Sequence, residues 1–131
     1  VSAGMFGAMG IARDDGAGRM AAMAKNATSF DAPAVLFVYF PRLMKEAQWS
    51  DTGMWLQTVA LLLREEGLDS CYQEYMAIYA NVIRDFLGLD HERYMFFCGM
   101  AIGYRDPEAP VNNFGRERVP LEEHVRFIGW D

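Results

Sequence analysis

The feature that most constrains the fold is a long apolar stretch at residues 49–67, WSDTGMWLQTVALLLREEG. Its apolar residues cover nearly the whole circumference of a helix, whereas a surface helix confines them to one stripe. Ser50 or Asp51 is placed to cap the start of this helix, and Gly67 is placed to end it in a left-handed conformation. The sequence therefore predicts one long helix that is buried on every side. In so short a chain, we expect part of this burial to come from a partner subunit.

Length and composition are typical of one folded domain. The chain has 131 residues, 52% of them hydrophobic, which is enough for a core. No apolar run reaches the roughly 20 residues needed to span a bilayer. The net charge of −6 would repel a phosphate backbone, which argues against nucleic acid as a partner. We expect a soluble, cytoplasmic protein in which Cys71 and Cys98 are reduced core thiols, since their spacing fits neither a CxxC motif nor zinc ligation.

Periodicity and turn signals predict alternating helices and strands. Continuous apolar runs predict two buried strands, and the second of them is central because both of its faces are covered. These strands are predicted at residues 34–40 and 95–104, and a further short strand at 68–71. Helices are predicted at residues 14–26 and, as an amphipathic helix ending at Gly88, at 75–87. Loops are predicted at residues 1–12 and 42–48, and a long loop after residue 105. This order predicts an α/β or α+β fold around a small sheet, in a single domain over residues 1–131.

Few residues offer catalytic chemistry. The sequence contains no nucleophile elbow, phosphate-binding loop, dinucleotide-binding glycine motif or zinc-ligand set. Two clusters remain. Arg116 and Arg118 lie in a loop rich in Asn and Gly, where two guanidinium groups are able to grip a phosphate, although surface charge is the simpler interpretation. The second cluster is the turn at residues 67–74, GLDSCYQE, where backbone N–H groups are able to hydrogen-bond a heterocycle.

Taken in order, these segments resemble the C-terminal half of the FMN-dependent nitroreductase family, in particular its members that act on nitrobenzoate-like aromatics. The stretches that carry the resemblance are GIARDDGAGRMAAMAKNATSFDAPAVLFVYF, WSDTGMWLQTVALLLREEGLDSCYQE, IRDFLGL, MFFCGMAIGYRDPEAPVN and RERVPLEEHVRF. The resemblance implies an α+β fold, part of a nitroreductase-like α/β/α sandwich, with a small, mostly antiparallel sheet around a buried dimer-core helix. It also implies a bacterial homodimer that binds FMN and passes hydride from NADH or NADPH through the flavin to nitroaromatics or quinones.

The resemblance further implies roles for two groups of residues at the cofactor. Arg116 and Arg118 fall where the family's C-terminal basic residues approach the FMN phosphate. Tyr72, Gln73 and Glu74 fall on the turn whose backbone lies against the flavin ring. Tyr72 stands where close relatives often have proline, which leaves the shape of this turn open.

The remaining implied roles concern the dimer and the substrate. Residues 51–66 fall on the family's dimer-core helix, while Phe6, Met9 and Phe30 lie in the region from which family members build the substrate pocket. No side chain is expected to act as an acid or base, because the cofactor does the chemistry. A catalytic residue is therefore not assigned.

Family members are usually longer than this chain. Their N-terminal part carries an Arg-Arg-Ser-type motif that grips the FMN phosphate and ribose, and this chain begins well inside the family's pattern, so we expect a truncated or partial chain. The alternative function is a non-enzymatic association module that has lost flavin binding and stabilises an oligomer through the helix around Trp55. The flavin content of the protein distinguishes the two.

Overall fold

The computed structural model describes residues 2–129, without the side chains of Ser2 and Ala3; Val1, Trp130 and Asp131 lie outside the described residues. Contacts divide the chain into a smaller unit, residues 1–18 with 106–131, and a larger unit, residues 19–105. The helices are α1 (Ser2–Ala8), α2 (Gly16–Ala24), α3 (Lys45–Glu65), α4 (Ala80–Leu87), α5 (Pro110–Asn113) and α6 (Leu121–His124), and short 3₁₀ helices cover Lys25–Asp31, Arg42–Met44 and Glu74–Tyr79. No described helix is long and apolar enough to cross a bilayer.

The larger unit is built on a three-stranded antiparallel sheet. Its strands are β1 (Ala34–Pro41), β2 (Asp69–Gln73) and β3 (Tyr94–Gly103), in the order β1-β3-β2. Strand β1 pairs with β3 along its whole length, with a register shift between Val38 and Tyr39, and β2 pairs with the C-terminal half of β3. The central position predicted for the apolar run at residues 95–104 is confirmed.

One face of α3 packs against this sheet. Leu56 forms the core of the unit together with Val38 of β1 and with Cys98 and Met100 of β3. Met100 is completely buried. The hydrophobic effect at this contact fixes the helix on the sheet, because each of these side chains leaves water only while the two elements stay together.

The N-terminal end of α3 differs from the prediction. The helix begins at Lys45, directly after the 3₁₀ helix Arg42–Met44, so the predicted loop at residues 42–48 is mostly helical. Neither Ser50 nor Asp51 caps it, because both lie inside the helix, and the residue before it, Met44, makes no side-chain capping bond.

The C-terminal end of α3 is as predicted. Gly67 has a φ of +75°, which is the left-handed region that glycine adopts without steric cost. The N–H groups of Gly67 and Leu68 donate to the carbonyl groups of Arg64 and Leu63 at 3.1 Å and 2.8 Å. These two bonds satisfy carbonyls that the helix end would otherwise leave unpaired.

The prediction that α3 is buried on every side is wrong for the single chain. Thr52 and Leu56 are its buried residues, whereas Met54, Trp55, Leu61 and Leu62 are between 50% and 63% exposed. The helix therefore has one face on the sheet and further apolar surface that faces outward.

The amphipathic helix predicted after β2 consists of two pieces, the 3₁₀ helix Glu74–Tyr79 and α4. It ends as predicted at Gly88, whose φ is +65°. Met76 is buried, but Val82 and Phe86 of the predicted apolar face are 66% and 82% exposed. The spacing of apolar residues thus located the helical segment but not the face that it buries.

A charged residue takes the buried position on α4. Arg84 is 6% exposed, and its guanidinium donates from Nη1 to the carbonyl oxygen of Tyr94 at 3.1 Å and from Nη2 to Oδ1 of Asn81. These two bonds offset part of the cost of burying the charge, while Nε is buried without a partner among the described residues. Arg84 therefore ties α4 to the start of β3 by hydrogen bonds.

A strained turn precedes β1. Ser29, Phe30 and Asp31 have φ values of 53°, 55° and 59°, and this left-handed conformation costs an L residue about 1–2 kcal/mol. The N–H of Ala32 closes the turn by donating to the Ser29 carbonyl at 3.1 Å. Helix α2 lies before this turn, within the range of residues 14–26 that the sequence predicts.

The smaller unit holds α1, α5 and α6. Residues 1–12 contain α1 rather than the predicted loop, and Phe6 on this helix is buried. Gly4 of α1 faces the ring of Phe114, the residue after α5, and a Cβ there would make an ordinary van der Waals contact at 3.6 Å. The predicted long loop after residue 105 is interrupted by α5 and α6.

The predicted pair of core thiols is half right. Cys98 is buried, and burial, together with the charge of Glu74, raises the pKa of its thiol. Cys71 is exposed because it lies on the edge strand β2.

We expect Gly99→Ala to destabilise the protein by about 1–3 kcal/mol. An added Cβ would overlap Sδ of the buried Met76 and lie 3.3 Å from its Cγ, so the core would have to shift. Gly16→Ala is the matched control, since nothing lies within 4 Å of a Cβ there. Urea denaturation measures both variants, and equal midpoints would contradict the close packing described for β3.

Candidate functional site

The candidate residues Tyr72, Gln73 and Glu74 lie where β2 ends and the 3₁₀ helix Glu74–Tyr79 begins. The strand reaches two residues beyond its predicted end, so Tyr72 and Gln73 are strand residues that pair with Met100 and Gly99 of β3. Glu74 opens the 3₁₀ helix and is exposed. The polar turn is therefore anchored to the central strand by backbone pairing from Asp69 to Gln73.

Tyr72 connects this strand end to α3. Its hydroxyl group donates to the carbonyl oxygen of Leu56 at 3.2 Å. Burial, and to a smaller extent the charge of Cys98, raises the pKa of Tyr72. The hydroxyl group thus keeps its proton at neutral pH and remains a donor to the helix.

Gln73 is 1% exposed and is one of the two largest fully buried side chains. Its Nε2 donates to the carbonyl oxygen of Asn26 at 3.1 Å. Because a carbonyl oxygen only accepts, the amide nitrogen must face Asn26, and Oε1 is left buried without a donor among the described residues. The site therefore contains an unsatisfied acceptor beside the candidate turn.

The two candidate arginines lie in the smaller unit. Arg116 and Arg118 line a depression of about 530 Å³, together with Gly4, Phe114 and Glu123. The Arg116 guanidinium lies 5.5 Å from the centre of the Phe114 ring, and Arg118 donates from Nη1 to the Glu117 carbonyl at 3.1 Å. Neither guanidinium forms an ion pair with a carboxylate of the described residues. Both charges are exposed and available to an anion.

The three residues assigned to the substrate pocket have different surroundings. Phe6 is buried and Met9 half-buried in the smaller unit, while Phe30 lies on the strained turn of the larger unit and is 44% exposed. Of the three, Phe30 offers the largest exposed aromatic surface to a ligand.

A second depression, of about 430 Å³, lies between β1 and the start of α3. The sequence analysis did not predict it. Its walls include Phe37, Tyr39 and Trp55, and Asp51, which the sequence suggested as a helix cap, lines it together with Gln48. No group of three or more His, Cys, Asp or Glu among the described residues is arranged to hold a metal ion.

The sequence analysis also missed two hydrogen-bond partners of the candidate turn. Asn26 and Leu56 take part through their backbone carbonyl oxygens, which accept from Gln73 and Tyr72. Every residue has such an oxygen, so neither residue type carries a signal for the contact. Only the spatial arrangement of the strand end, α3 and the 3₁₀ helix Lys25–Asp31 brings these groups together.

The chain belongs to the nitroreductase family, whose conserved pattern matches residues 10–104. It is 35% identical over 126 residues to a 4-nitrobenzoate reductase of Pseudomonas putida, an alignment that covers 96% of this chain and 55% of that protein. It is 32% identical over 121 residues to a chloronitrobenzene nitroreductase of Comamonas testosteroni, with 92% and 53% covered. The chain thus spans about half the length of the curated relatives that it matches.

Solved structures confirm the nitroreductase-like α+β fold. The nitroreductase NfnB from Sphigopyxis sp. strain HMH, described as FMN- and NADPH-dependent, superposes with a TM-score of 0.95 at 46% identity over 98% of this chain and 57% of that one. The FMN-dependent NfnB from Mycobacterium smegmatis, solved in complex with NADPH, gives a TM-score of 0.90 at 28% identity over 97% and 56% of the two chains.

We expect Tyr72→Phe to lower the free energy of unfolding by about 0.5–1.5 kcal/mol, because the Leu56 carbonyl loses its hydroxyl donor while the ring remains. Tyr104→Phe is the control, since this ring is exposed in the same unit. Thermal or urea unfolding measures the difference. Equal stability of the two variants would show that the Tyr72 hydroxyl group does not hold β2 to α3.

Proposed function

We propose that this chain is part of an FMN-dependent nitroreductase that passes hydride from NADH or NADPH to a nitroaromatic compound or a quinone. The observation that carries the proposal is the superposition, at 46% identity, on a nitroreductase described as FMN- and NADPH-dependent. The relatives named above are all reductases of nitroaromatic compounds, so none of them favours the alternative of a non-enzymatic association module.

Nitrobenzoate-like aromatics are the substrate class that we favour. The support is the relation to a 4-nitrobenzoate reductase. The bacterial and cytoplasmic setting and the single domain over residues 1–131 stay predictions.

The described residues fit FMN in two respects. Arg116 and Arg118 are two exposed guanidinium groups without a carboxylate partner among the described residues, which suits a phosphate. The strand end at Tyr72 and Gln73 is rigidly paired, as a surface that positions a flat ring needs to be.

When bound, FMN supplies the hydride chemistry. The role of this chain is to bind and orient. We assign the phosphate to Arg116 and Arg118, and the flank of the ring to the backbone of Tyr72, Gln73 and Glu74. The side chains of Tyr72 and Gln73 bond to the carbonyl oxygens of Leu56 and Asn26, and the Tyr72 ring stays 45% exposed.

We also propose that the protein is a homodimer formed through residues 51–66 of α3. The support is the exposed apolar surface of this helix, where Met54, Trp55, Leu61 and Leu62 would otherwise contact water. Exposed apolar patches of this kind mark interaction sites in soluble proteins. A two-fold interface uses the same patch on both subunits, so each apolar side chain counts twice.

The phosphate assignment predicts that Arg116→Ala combined with Arg118→Ala weakens FMN binding at least about a hundredfold, because two charge-assisted hydrogen-bonding groups are lost. Arg13→Ala combined with Arg93→Ala removes the same charge from exposed positions and is the control. The visible absorbance of the purified proteins and titration with FMN measure the effect. Full flavin content in the first double variant would contradict the assignment.

A colourless wild-type protein that takes up no FMN on reconstitution would contradict the proposed enzyme itself. In the arginine double variant, flavin loss with an unchanged oligomeric state supports the enzyme. That pattern separates loss of the cofactor from loss of the assembly.

The dimer assignment predicts that Leu61→Glu raises the dimer dissociation constant at least about a hundredfold, since a leucine worth about 1.5–3 kcal/mol is lost on each side. Phe86→Glu on α4 is the matched control, because this ring is also exposed but lies outside the proposed interface. Size-exclusion chromatography with light scattering measures the molecular mass. A wild-type monomer, or a dimer that tolerates Leu61→Glu, would rule out this interface.

A further inference from the structure

The strained turn before β1 is the starting point. Among the described residues, four non-glycine residues have a positive φ, and three of them are consecutive, namely Ser29, Phe30 and Asp31. Backbone strain of this kind persists only where the surrounding structure enforces it, and it concentrates at sites that bind ligands. The contacts that enforce the turn therefore identify the residues that control its shape.

The turn is held on both sides by the sheet. On its C-terminal side, Pro33 lies so close to β3 that a Cβ at Gly103 would come within 2.7 Å of the Pro33 Cδ. On its N-terminal side, Nε2 of Gln73 donates to the Asn26 carbonyl at 3.1 Å. The first contact is steric and the second is a hydrogen bond, so Gln73 supplies the directional contact that holds the turn.

The choice of glutamine at this position needs a reason. A buried amide is costly unless it is hydrogen-bonded, and Gln73 is 1% exposed with only one half of its amide satisfied by described residues. A methionine of similar length would fill the same space without an unsatisfied oxygen. The bond to Asn26 is the described interaction that an apolar side chain cannot replace.

The conformation of the turn determines where Phe30 lies. Ser29 is buried, whereas the next residue, Phe30, is turned outward and is 44% exposed. An exposed ring on a rigid backbone is suited to stacking against a flat aromatic molecule. If the turn relaxed, this ring would lose its fixed position.

We propose that Gln73 is a positioning residue that holds the left-handed turn through Asn26 and thereby sets where Phe30 meets a flat aromatic substrate. The substrate half rests on the proposed function, whereas the structural half does not. Gln73 acts through Phe30 and has no part in the hydride transfer.

Amide hydrogen exchange tests the structural half. In the full chain, Gln73→Met should accelerate exchange of the Ala32 amide, which closes the turn, at least about tenfold, while the Met100 amide in the centre of β3 stays protected. Glu46→Met, at an exposed position of α3 outside residues 51–66, should change neither rate. An unchanged Ala32 rate would overturn the proposal. Equal acceleration at Ala32 and Met100 would also overturn it, because Gln73 would then support the fold as a whole.

Steady-state kinetics with 4-nitrobenzoate test the substrate half. Gln73→Met should raise KM about fivefold when rates are expressed per bound flavin. In a Phe30→Ala background the same substitution should have no further effect on KM, because the two residues act as one unit. A KM increase that persists without the Phe30 ring would overturn the role assigned to Phe30.

The two tests separate this proposal from the proposed function. A wild-type protein that binds no FMN and reduces no nitroaromatic contradicts the proposed function, and the substrate half falls with it. The exchange rates at Ala32 and Met100 need neither flavin nor turnover. They decide the structural role of Gln73 in either case.

Discussion

Strand β3 pairs with β1 over residues 94–102 on one edge and with β2 over residues 99–103 on the other, and the larger unit depends on this constraint. Because both edges are occupied, side chains on β3 are covered from several directions, and Met100 at its centre is completely buried. The two glycines of the strand matter because they have no Cβ. Gly99 admits Met76 and Gly103 admits Pro33, at distances where a Cβ would collide. The segments that follow β2 and precede β1 are therefore drawn close to the same strand.

Helix α3 depends on the same strand but uses only part of its apolar surface for it. Leu56 reaches Met100 and Cys98, while Met54 and Leu61 point away from the sheet. An apolar circumference predicts burial, but it does not say whether one chain or two provide it. The exposed apolar surface of α3 is the support for the proposed two-fold interface.

Sequence reasoning succeeded where the signal is a property of consecutive residues. The apolar run at residues 95–104 identified the central strand, and Gly67 and Gly88 marked two helix ends, because an uninterrupted run and a left-handed glycine each have few alternatives. It failed where several residues compete for one role. Ser50 and Asp51 are good caps, yet the helix continues past them to Lys45 because the chain before them is also able to be helical. Arg84 shows the limit of periodicity, since its burial depends on the Tyr94 carbonyl and not on its own hydropathy.

At the candidate site, the sequence located the polar segment but not the way in which it is held. Tyr72 and Gln73 direct their side chains to the carbonyl oxygens of Leu56 and Asn26, in two different elements. Backbone carbonyl oxygens accept both bonds, so no motif of residue types marks these contacts. The same two bonds join segments that are distant in the sequence. Tyr72 connects the strand end to α3, and Gln73 connects it to the 3₁₀ helix Lys25–Asp31. The geometry of the strand end is thus set jointly by the helix proposed for the dimer and the turn that carries Phe30.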